Sequence, residues 1–493
     1  MTPRTVVELV DSAARERPDS PLLLEPTGAA LTIGEVSHLS IAAARWLAAH
    51  GVDSSMTVAW QLPSHCAAAV VMLALSRSVP VQVPVLHLFR QREVAEALDI
   101  ASADVLIVDQ TTQHNAPADT PVIRLPSDFL EVLQAMPDAQ PTEAAPNFPS
   151  HSARWVFFTS GTSGRPKGVR HSDNSLLTAA RGYVDQLGLG SAPDDVGTIN
   201  FPITHVGGIF YLSCALIGTF SVLVLPQIGP DVAKVLAANR VTFTGGSTAF
   251  YQMLLTAQLS SGDDAPVVPT LRMLVGGGAP CPPELHEKVR RVLGVPVLHG
   301  YGMTEAPAVT ASEASDSFEQ RSNSAGRPVP GADVRIAPTD EVEVRGDILT
   351  PGYVDDQQWA ASLTRDGWLR TGDTGYLRPD GRLVITGRMK DLIIRKGENI
   401  APAEIENELL AHPFIDTVAV LGLPDEIRGE LVCAVVQRSP KHRDVTLEEI
   451  CQFLDDRGLM KQKWPERLYI LDQFPLTGLG KVAKRKLAKE LKT

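Results

Sequence analysis

The chain has 493 residues, more than one hydrophobic core usually organises, so we expect two or more domains. Its 44% hydrophobic and 21% charged residues are typical of a globular protein. The formal net charge of −12 argues against nucleic acid as the main partner, because a phosphate polymer needs an extended basic surface. The 5 cysteines are scattered without a CxxC pair, which fits neither a disulfide framework nor a zinc cluster. This pattern, with a charged N-terminus unlike a signal peptide, predicts a cytoplasmic protein.

Helical and strand-like segments alternate through the first part of the chain. Amphipathic helices are predicted at 6–18 and 35–51, the second ending at Gly51. Buried strands are predicted for the short apolar runs at 56–62, 80–85, 104–109 and 120–125. A buried helix at 65–78 lies between the first two. This order predicts an α/β fold with substantial parallel pairing.

One uncharged run, residues 207–226, is long enough to be compared with a membrane span. Gly218 divides it into a helix-like half and a β-rich half, and no basic residues flank it. We therefore predict a buried helix followed by a central strand, and no membrane span.

The α/β pattern continues to about residue 331 and then changes. Further elements are predicted as helices at 175–188 and 232–240 and strands at 198–203 and 241–246. Two apolar strands, within 271–280 and 295–305, run into glycine-rich turns, where open α/β sheets bind ligands. From Ala332 onward the pattern is all-β, with a hairpin tip at Asp380-Gly381.

The last hundred or so residues have the pattern of a small α+β domain. A helix is predicted to begin at Pro402, and a second to begin with a capping box formed by Thr446 and Glu449. Paired strands are predicted at 417–424 and 430–438.

The segment FFTSGTSGRPKGV, residues 157–169, lies between two strand-like runs and is either a linker or a phosphate-binding loop. It is not a Walker A loop, because Lys167 follows proline and precedes glycine. Its hydroxyl side chains, its glycine backbone and the Lys167 ammonium could surround a polyphosphate. These residues alone leave both interpretations open.

The sequence TSGTSGRPKG within this segment resembles the signature loop of the adenylate-forming superfamily, which includes acyl-CoA synthetases, adenylation domains of nonribosomal peptide synthetases and luciferases. Other motifs similar to those of the family follow in its order: GGGAP at 276–280, YGMTE at 301–305, RTGD at 370–373, GRMKDLIIRKGENIAPAEIE at 387–406 and PLTGLGK at 475–481. The resemblance covers essentially the whole chain. It implies a large N-terminal AMP-binding domain, 1–388, made of α/β subdomains and a small β-barrel-like part, and a small mobile α+β domain, 389–493.

The resemblance also implies an activity. A carboxylic acid and ATP would give acyl-AMP and pyrophosphate, and CoA would then give the acyl-CoA thioester. Lys481 is implied to bridge the attacking carboxylate and the phosphate, Thr304 to contact the α-phosphate and Glu305 to hold Mg²⁺. The ATP- and AMP-binding residues implied are Thr159, Ser160, Gly161, Thr162, Ser163, Gly164, Lys167, Gly276, Gly277, Gly278, Ala279, Pro280, Tyr301, Gly302, Met303, Asp373 and Arg388.

The acid and the thiol are assigned to further residues by the same resemblance. The acyl pocket is expected at His205, Gly207, Tyr211 and Thr248, with weaker candidates at Thr244 and Gly245. The stretch around His205 contains no aspartate of the kind that holds an amino-acid substrate. Lys390 falls at the family's hinge, and Lys396-Gly397 at the thiol tunnel, where many relatives have two glycines. His171 and His299 are expected to need no functional role.

Three hypotheses follow. The first is an acid–thiol ligase that uses ATP, Mg²⁺ and CoA on a small, medium-chain, alicyclic or aryl acid, as a monomer or homodimer. The second is an acyl-AMP ligase that loads an acyl carrier protein. The third is a nonenzymatic nucleotide binder, which the presence of Lys481, Glu305, Asp373 and Arg388 disfavours.

Overall fold

The computed structural model describes residues 2–137, 148–159, 166–246, 248–262, 264–278, 281–395, 398–425, 429–439, 442–476 and 482–491. The α-helices are α1 (Val6–Glu16), α2 (Ile33–Ala49), α3 (Cys66–Ser78), α4 (Gln91–Ala101), α5 (Phe129–Gln134), α6 (Asp173–Leu187), α7 (Val206–Gly218), α8 (Val232–Ala238), α9 (Thr248–Ser261), α10 (Pro283–Val292), α11 (Phe318–Ser322), α12 (Asp356–Ser362), α13 (Pro402–Leu410), α14 (Leu447–Asp456) and α15 (Lys484–Glu490). Short 3₁₀ helices occupy Gln113–Asn115, Met389–Asp391 and Lys461–Lys463.

The β-strands are β1 (Pro21–Leu24), β2 (Ala30–Thr32), β3 (Thr57–Gln61), β4 (Val81–Pro84), β5 (Val105–Val108), β6 (Val122–Arg124), β7 (Trp155–Thr159), β8 (Lys167–His171), β9 (Val196–Ile199), β10 (Ser221–Val224), β11 (Phe243–Thr244), β12 (Met273–Gly276), β13 (Val297–Met303), β14 (Ala306–Ala311), β15 (Arg327–Pro328), β16 (Asp333–Ile336), β17 (Glu341–Arg345), β18 (Gly352–Tyr353), β19 (Leu369–Leu377), β20 (Leu383–Arg388), β21 (Ile393–Arg395), β22 (Glu398–Ile400), β23 (Val418–Asp425), β24 (Gly429–Gln437) and β25 (Arg467–Leu471).

Two larger sheets carry the first part of the chain. One has the order β18-β8-β7-β4-β3-β5-β6, and its strands from β7 through β4, β3 and β5 to β6 are parallel. The other has the order β11-β12-β13-β14-β15 and is parallel only as far as β13. Parallel strands are buried on both faces, which explains their continuous apolar sequences. The predicted α/β pattern with parallel pairing is confirmed.

Three further sheets complete the fold. β2, β1, β10 and β9 form the first of them, in that order. The antiparallel sheet β16-β17-β19-β20 occupies the region predicted to be all-β. The C-terminal part has the sheet order β22-β21-β24-β23, with β25 paired to β24, and its own apolar cluster around Ile405, Val420 and Val432.

The uncharged run at 207–226 forms a buried helix, α7, followed by the buried strand β10, as predicted. Its helix packs against α6, where the ring centroids of Tyr183 and Phe210 lie 5.3 Å apart. Across the described parts of the chain, no helix is both long enough and apolar enough to cross a membrane.

The predicted strand at 198–203 is wrong in its position. The observed strand, β9, ends at Ile199, where its ladder with β10 also ends. Pro202 cannot donate to a ladder, and the chain turns there before α7 begins. Asn200 therefore follows the strand end instead of lying within the sheet.

Candidate active site

The loop that contains residues 160–165 joins two neighbouring strands. β7 and β8 pair in antiparallel fashion, and Thr159 lies opposite Lys167 in their register. This closure excludes a linker between two domains, because both ends of the segment belong to one sheet. Ser160, Gly161, Thr162, Ser163 and Gly164 lie outside the described residues.

Lys167 and Glu305 meet the same aromatic side chain, Tyr353. The Lys167 Nζ atom lies 4.8 Å from the centroid of the Tyr353 ring. The Tyr353 hydroxyl donates to Glu305 Oε1 at 2.8 Å, and Glu305 is 7% exposed. Burial, followed by the Glu305 charge, raises the pKa of Tyr353, so its hydroxyl remains a donor. The site therefore combines a cation and a buried, oriented carboxylate.

Tyr353 was missed by the sequence analysis. It belongs to β18, which pairs with β8 at the edge of the large sheet, with Tyr353 opposite Val169. A single tyrosine in a two-residue strand has no periodicity that could identify it. Only the pairing of β18 with β8 brings this ring to Lys167.

His171 supports the backbone of Thr304, a second contact that the sequence analysis missed. Its Nε2 atom lies 2.6 Å from the Thr304 carbonyl oxygen, which can only accept, so Nε2 carries the proton. Its Nδ1 atom lies 2.9 Å from Ser175 Oγ. Burial lowers the pKa of His171 to about 4, so the ring is neutral near pH 7. A neutral histidine thus holds the backbone immediately before Glu305.

Tyr301, Asp373 and Arg388 form one hydrogen-bonded group. The Tyr301 hydroxyl donates to Asp373 Oδ2 at 2.6 Å, and Arg388 Nε donates to Asp373 Oδ1 at 2.9 Å. β19 and β20 place Asp373 directly opposite Arg388. Burial and the Asp373 charge raise the pKa of Tyr301 well above its ordinary value. The structure thus brings together three residues that the resemblance assigns to adenine, ribose and phosphate.

The glycine motifs bring backbones into close contact. A Cβ atom on Gly276 would lie 2.2 Å from the Gly246 carbonyl oxygen, and one on Gly277 would lie 2.5 Å from that of Gly300. A Cβ atom on Gly302 would likewise lie 2.3 Å from the Pro307 carbonyl oxygen. Side chains at these positions would separate the strands.

The remaining residues of these two motifs are placed less fully. Gly278 has a φ of +76°, which favours glycine. Met303 ends β13 and is half-buried. Ala279 and Pro280 lie outside the described residues.

Three of the four predicted acyl-pocket residues, His205, Gly207 and Tyr211, lie around Phe201. His205 precedes α7, and its Nδ1 accepts from the Gly207 N–H at 3.2 Å. The Phe201 ring centroid lies 6.2 Å from that of His205 and 5.4 Å from that of the buried Tyr211. Thr248 begins α9, and the contacts described for this group do not include it. Phe201 joins the group as a residue that the sequence analysis did not select.

The predicted residues of the C-terminal part fall mostly beyond what the structure describes. Lys481, Lys396 and Gly397 lie outside the described residues. Lys390 belongs to the 3₁₀ helix Met389–Asp391, between β20 and β21.

The chain matches the AMP-binding enzyme family over residues 10–354 and the AMP-binding enzyme C-terminal domain over residues 404–481. It is 29% identical to medium-chain fatty-acid–CoA ligase of Escherichia coli (strain K12), over 97% of this chain and 89% of that protein. It is 31% identical to 2-succinylbenzoate–CoA ligase of Bacillus mycoides (strain KBAB4), over 89% of each chain. The crystal structure of ATP-bound MatB from Rhodopseudomonas palustris superposes with a TM-score of 0.87 at 27% identity, over 99% of each chain.

The chain therefore belongs to the AMP-binding enzyme family. Within that family it is an adenylate-forming enzyme of the acyl- and aryl-CoA synthetase type. The predicted fold class, a large N-terminal α/β part followed by a small C-terminal part, is confirmed.

Proposed function

We propose that the chain joins a small, medium-chain, alicyclic or aryl carboxylic acid to CoA in two half-reactions. In the first, a carboxylate oxygen attacks the α-phosphorus of ATP, and the bond to the leaving pyrophosphate breaks. In the second, the CoA sulfur attacks the acyl carbonyl carbon, AMP leaves, and the thiol proton passes to solvent. The observation that carries this proposal is the meeting of Lys167 and Glu305 at Tyr353.

The first half-reaction brings two anions together, so the site must supply positive charge. Lys167 extends from the start of β8 and would contact the leaving phosphates. Thr304 would donate to the α-phosphate, and His171 holds its backbone in place.

The donor set around Glu305 fits Mg²⁺. The Tyr353 hydrogen bond fixes Oε1 and leaves the second oxygen outside that bond, and Mg²⁺ prefers oxygen ligands shared with phosphates. When bound, Mg²⁺ would neutralise phosphate charge.

Asp373 is suited to the ribose of the nucleotide. Both its oxygens face donors, Tyr301 and Arg388, in the structure, and ribose hydroxyls would donate to the same carboxylate. The Tyr301 ring offers an apolar face to adenine, and the close glycine backbones at Gly276 and Gly277 leave no side chain in its way.

We further propose that the small domain, 389–493, supplies Lys481 in the first half-reaction and turns about Lys390 for the second. One site has to present Lys481 to the carboxylate and later admit a thiol, and domain rotation provides both states. Lys396 and Gly397 would then face the thiol. We also propose a cytoplasmic location, and a monomer or homodimer, which light scattering of the purified protein tests.

A pyrophosphate-release screen over acids of graded length and aromaticity tests this function. Each acid that supports release is then offered with CoA or with a phosphopantetheinylated carrier protein. Acyl-CoA formation is expected. A thioester found on the carrier alone would favour the carrier-loading ligase, and no acid-dependent release across the panel would favour a nonenzymatic binder.

A further inference from the structure

Two buried polar atoms without hydrogen-bond partners lie near the adjoining backbones of Gly246 and Gly276, next to the predicted acid pocket. One is the Oδ1 atom of Asn200, a residue 6% exposed, and the other is the hydroxyl of Tyr251, which is 0% exposed. Within the described residues, neither atom has a partner. Buried polar groups in native proteins are nearly always paired, so two orphaned groups in one place require an explanation.

The direction of the Asn200 amide is determined by its neighbours. Its Nδ2 atom donates to the carbonyl oxygen of Gly245 and lies 3.5 Å from Thr244 Oγ1. A carbonyl oxygen can only accept, so the amide cannot be flipped. The Asn200 Oδ1 atom is therefore a hydrogen-bond acceptor without a donor among the described residues.

Asn200 lies beside the acid pocket. A Cβ atom on Gly245 would lie 2.5 Å from the Tyr211 hydroxyl, and one on Gly246 would lie 2.9 Å from Asn200 Nδ2. Gly246 also has a φ of +145°, which disfavours other residues. The end of β11 is thus packed between Tyr211 and Asn200.

Tyr251 lies beside the nucleotide loop. A Cβ atom on Gly276 would lie 2.6 Å from the Tyr251 hydroxyl and 2.2 Å from the Gly246 carbonyl oxygen. The two unpartnered atoms therefore lie between the residues proposed for the acid and those proposed for adenosine. The proposed function brings the reacting acid towards this junction, because its carboxylate has to reach the α-phosphate of the nucleotide.

The chemistry of the two atoms selects a neutral hydroxyl as their partner. Burial raises the pKa of Tyr251 well above its ordinary value, so its hydroxyl stays protonated and can donate. A hydroxyl can donate to Asn200 Oδ1 and accept from Tyr251, whereas a carbonyl would only accept. An ammonium would be buried among Asn200, Tyr211, Thr244 and Tyr251, none of which carries a charge to offset it.

We propose that the acid substrate carries a hydroxyl group that donates to Asn200 Oδ1 and accepts from the Tyr251 hydroxyl. This inference rests on the proposed function, because it assumes that an acid occupies the junction. A site built to hydrogen-bond a substrate hydroxyl rejects the analogue that lacks it, since its own polar groups are then left unpaired. The two residues would set specificity without entering the chemistry.

The test uses matched acids that differ by one hydroxyl: butanoate, hexanoate and phenylacetate, each beside its monohydroxy derivatives. Pyrophosphate release gives kcat/KM for each acid. The kcat/KM of the best hydroxy acid is expected to exceed that of its parent acid at least 10-fold.

Tyr251→Phe removes only the unpartnered hydroxyl, so Tm is expected to stay the same or rise while this ratio of kcat/KM values falls at least 3-fold. Tyr469→Phe, in β25 of the C-terminal part, is the matched control and should keep the ratio.

Asn200→Leu keeps a similar side-chain shape and removes the acceptor, so the ratio of kcat/KM values should fall close to one. Its Tm should be lower, because the Gly245 carbonyl oxygen loses its donor.

Three results would overturn the inference. If parent acids react as well as hydroxy acids, a buried water satisfies the two atoms, and the proposed ligase function stands. If a hydroxy acid is preferred but Tyr251→Phe leaves the ratio unchanged, the selectivity arises elsewhere. If no acid supports release, the proposed function fails as well.

Discussion

Acidification should destabilise the protein through His171. The pKa of this buried ring is lowered from 6.5 to about 4, chiefly by burial. At a pH between these two pKa values, the histidine binds a proton in the unfolded chain but stays neutral in the folded chain. The stability contributed by the neutral ring is therefore complete above about pH 6.5 and is lost as the pH falls towards 4. At about 1.4 kcal/mol for each pKa unit, the loss is about 3 kcal/mol.

His171→Gln isolates this effect. A glutamine is neutral at every pH, and its amide can still donate to the Thr304 carbonyl oxygen that His171 holds. Urea unfolding of both proteins, followed by tryptophan fluorescence, gives the free energy of unfolding from pH 7 to pH 4. Trp155 lies directly opposite His171 in the sheet and is fully buried, so it reports on this region.

The expected result is that the wild-type protein loses about 3 kcal/mol more than the variant over this range. Other groups that protonate, such as the buried His286, act equally in both proteins and cancel in the difference. A difference between wild type and variant that stays constant from pH 7 to pH 4 would refute a depressed pKa at His171. The conclusion that a neutral His171 holds the Thr304 backbone near pH 7 would then be wrong as well.

Asp373→Ala should raise KM for ATP about 100-fold, because two charge-assisted hydrogen bonds of about 1.5 kcal/mol each are lost; Asp366→Ala, which removes an exposed carboxylate that also pairs with an arginine, should leave KM unchanged. Equal KM values in both variants would contradict the ribose assignment. Tyr353→Phe keeps the ring and removes only the donor to Glu305, so kcat/KM should fall about 10-fold, with an altered Mg²⁺ dependence of pyrophosphate release. An unaltered Mg²⁺ dependence would show that Tyr353 does not orient the metal carboxylate. Lys481→Ala should slow acyl-AMP formation by about 10²–10³ and largely spare thioester formation from supplied acyl-AMP, and equal losses in both half-reactions would argue against the division of roles.

The elements with regular apolar patterns could be predicted from the sequence. The runs that became β3, β5 and α3 are buried on all sides, so composition alone indicated them. The capping box of Thr446 and Glu449 is local in sequence and was confirmed. These features depend on neighbouring residues only.

The contacts that build the site depend on residues far apart in sequence and could not be predicted in the same way. Tyr353 reaches Lys167 only through the pairing of β18 with β8. His171, in β8, reaches Thr304, which follows β13, only because the two sheets that contain these strands meet there. Asn200 was assigned to a strand interior, and the early end of β9 moved it into the junction beside Gly246.

The short strand β18 has a consequence for synthesis on the ribosome. The loop with Lys167 emerges early, but Tyr353, which contacts Lys167 and holds Glu305, is translated much later. Pairing over such a separation also slows folding, because the intervening chain must be ordered first. A nascent chain that ends before β18 lacks this contact, so ATP should not protect it from proteolysis. Protection should begin only after β18 and the later residues Asp373 and Arg388 have emerged, so nucleotide binding should appear late in the synthesis of this protein.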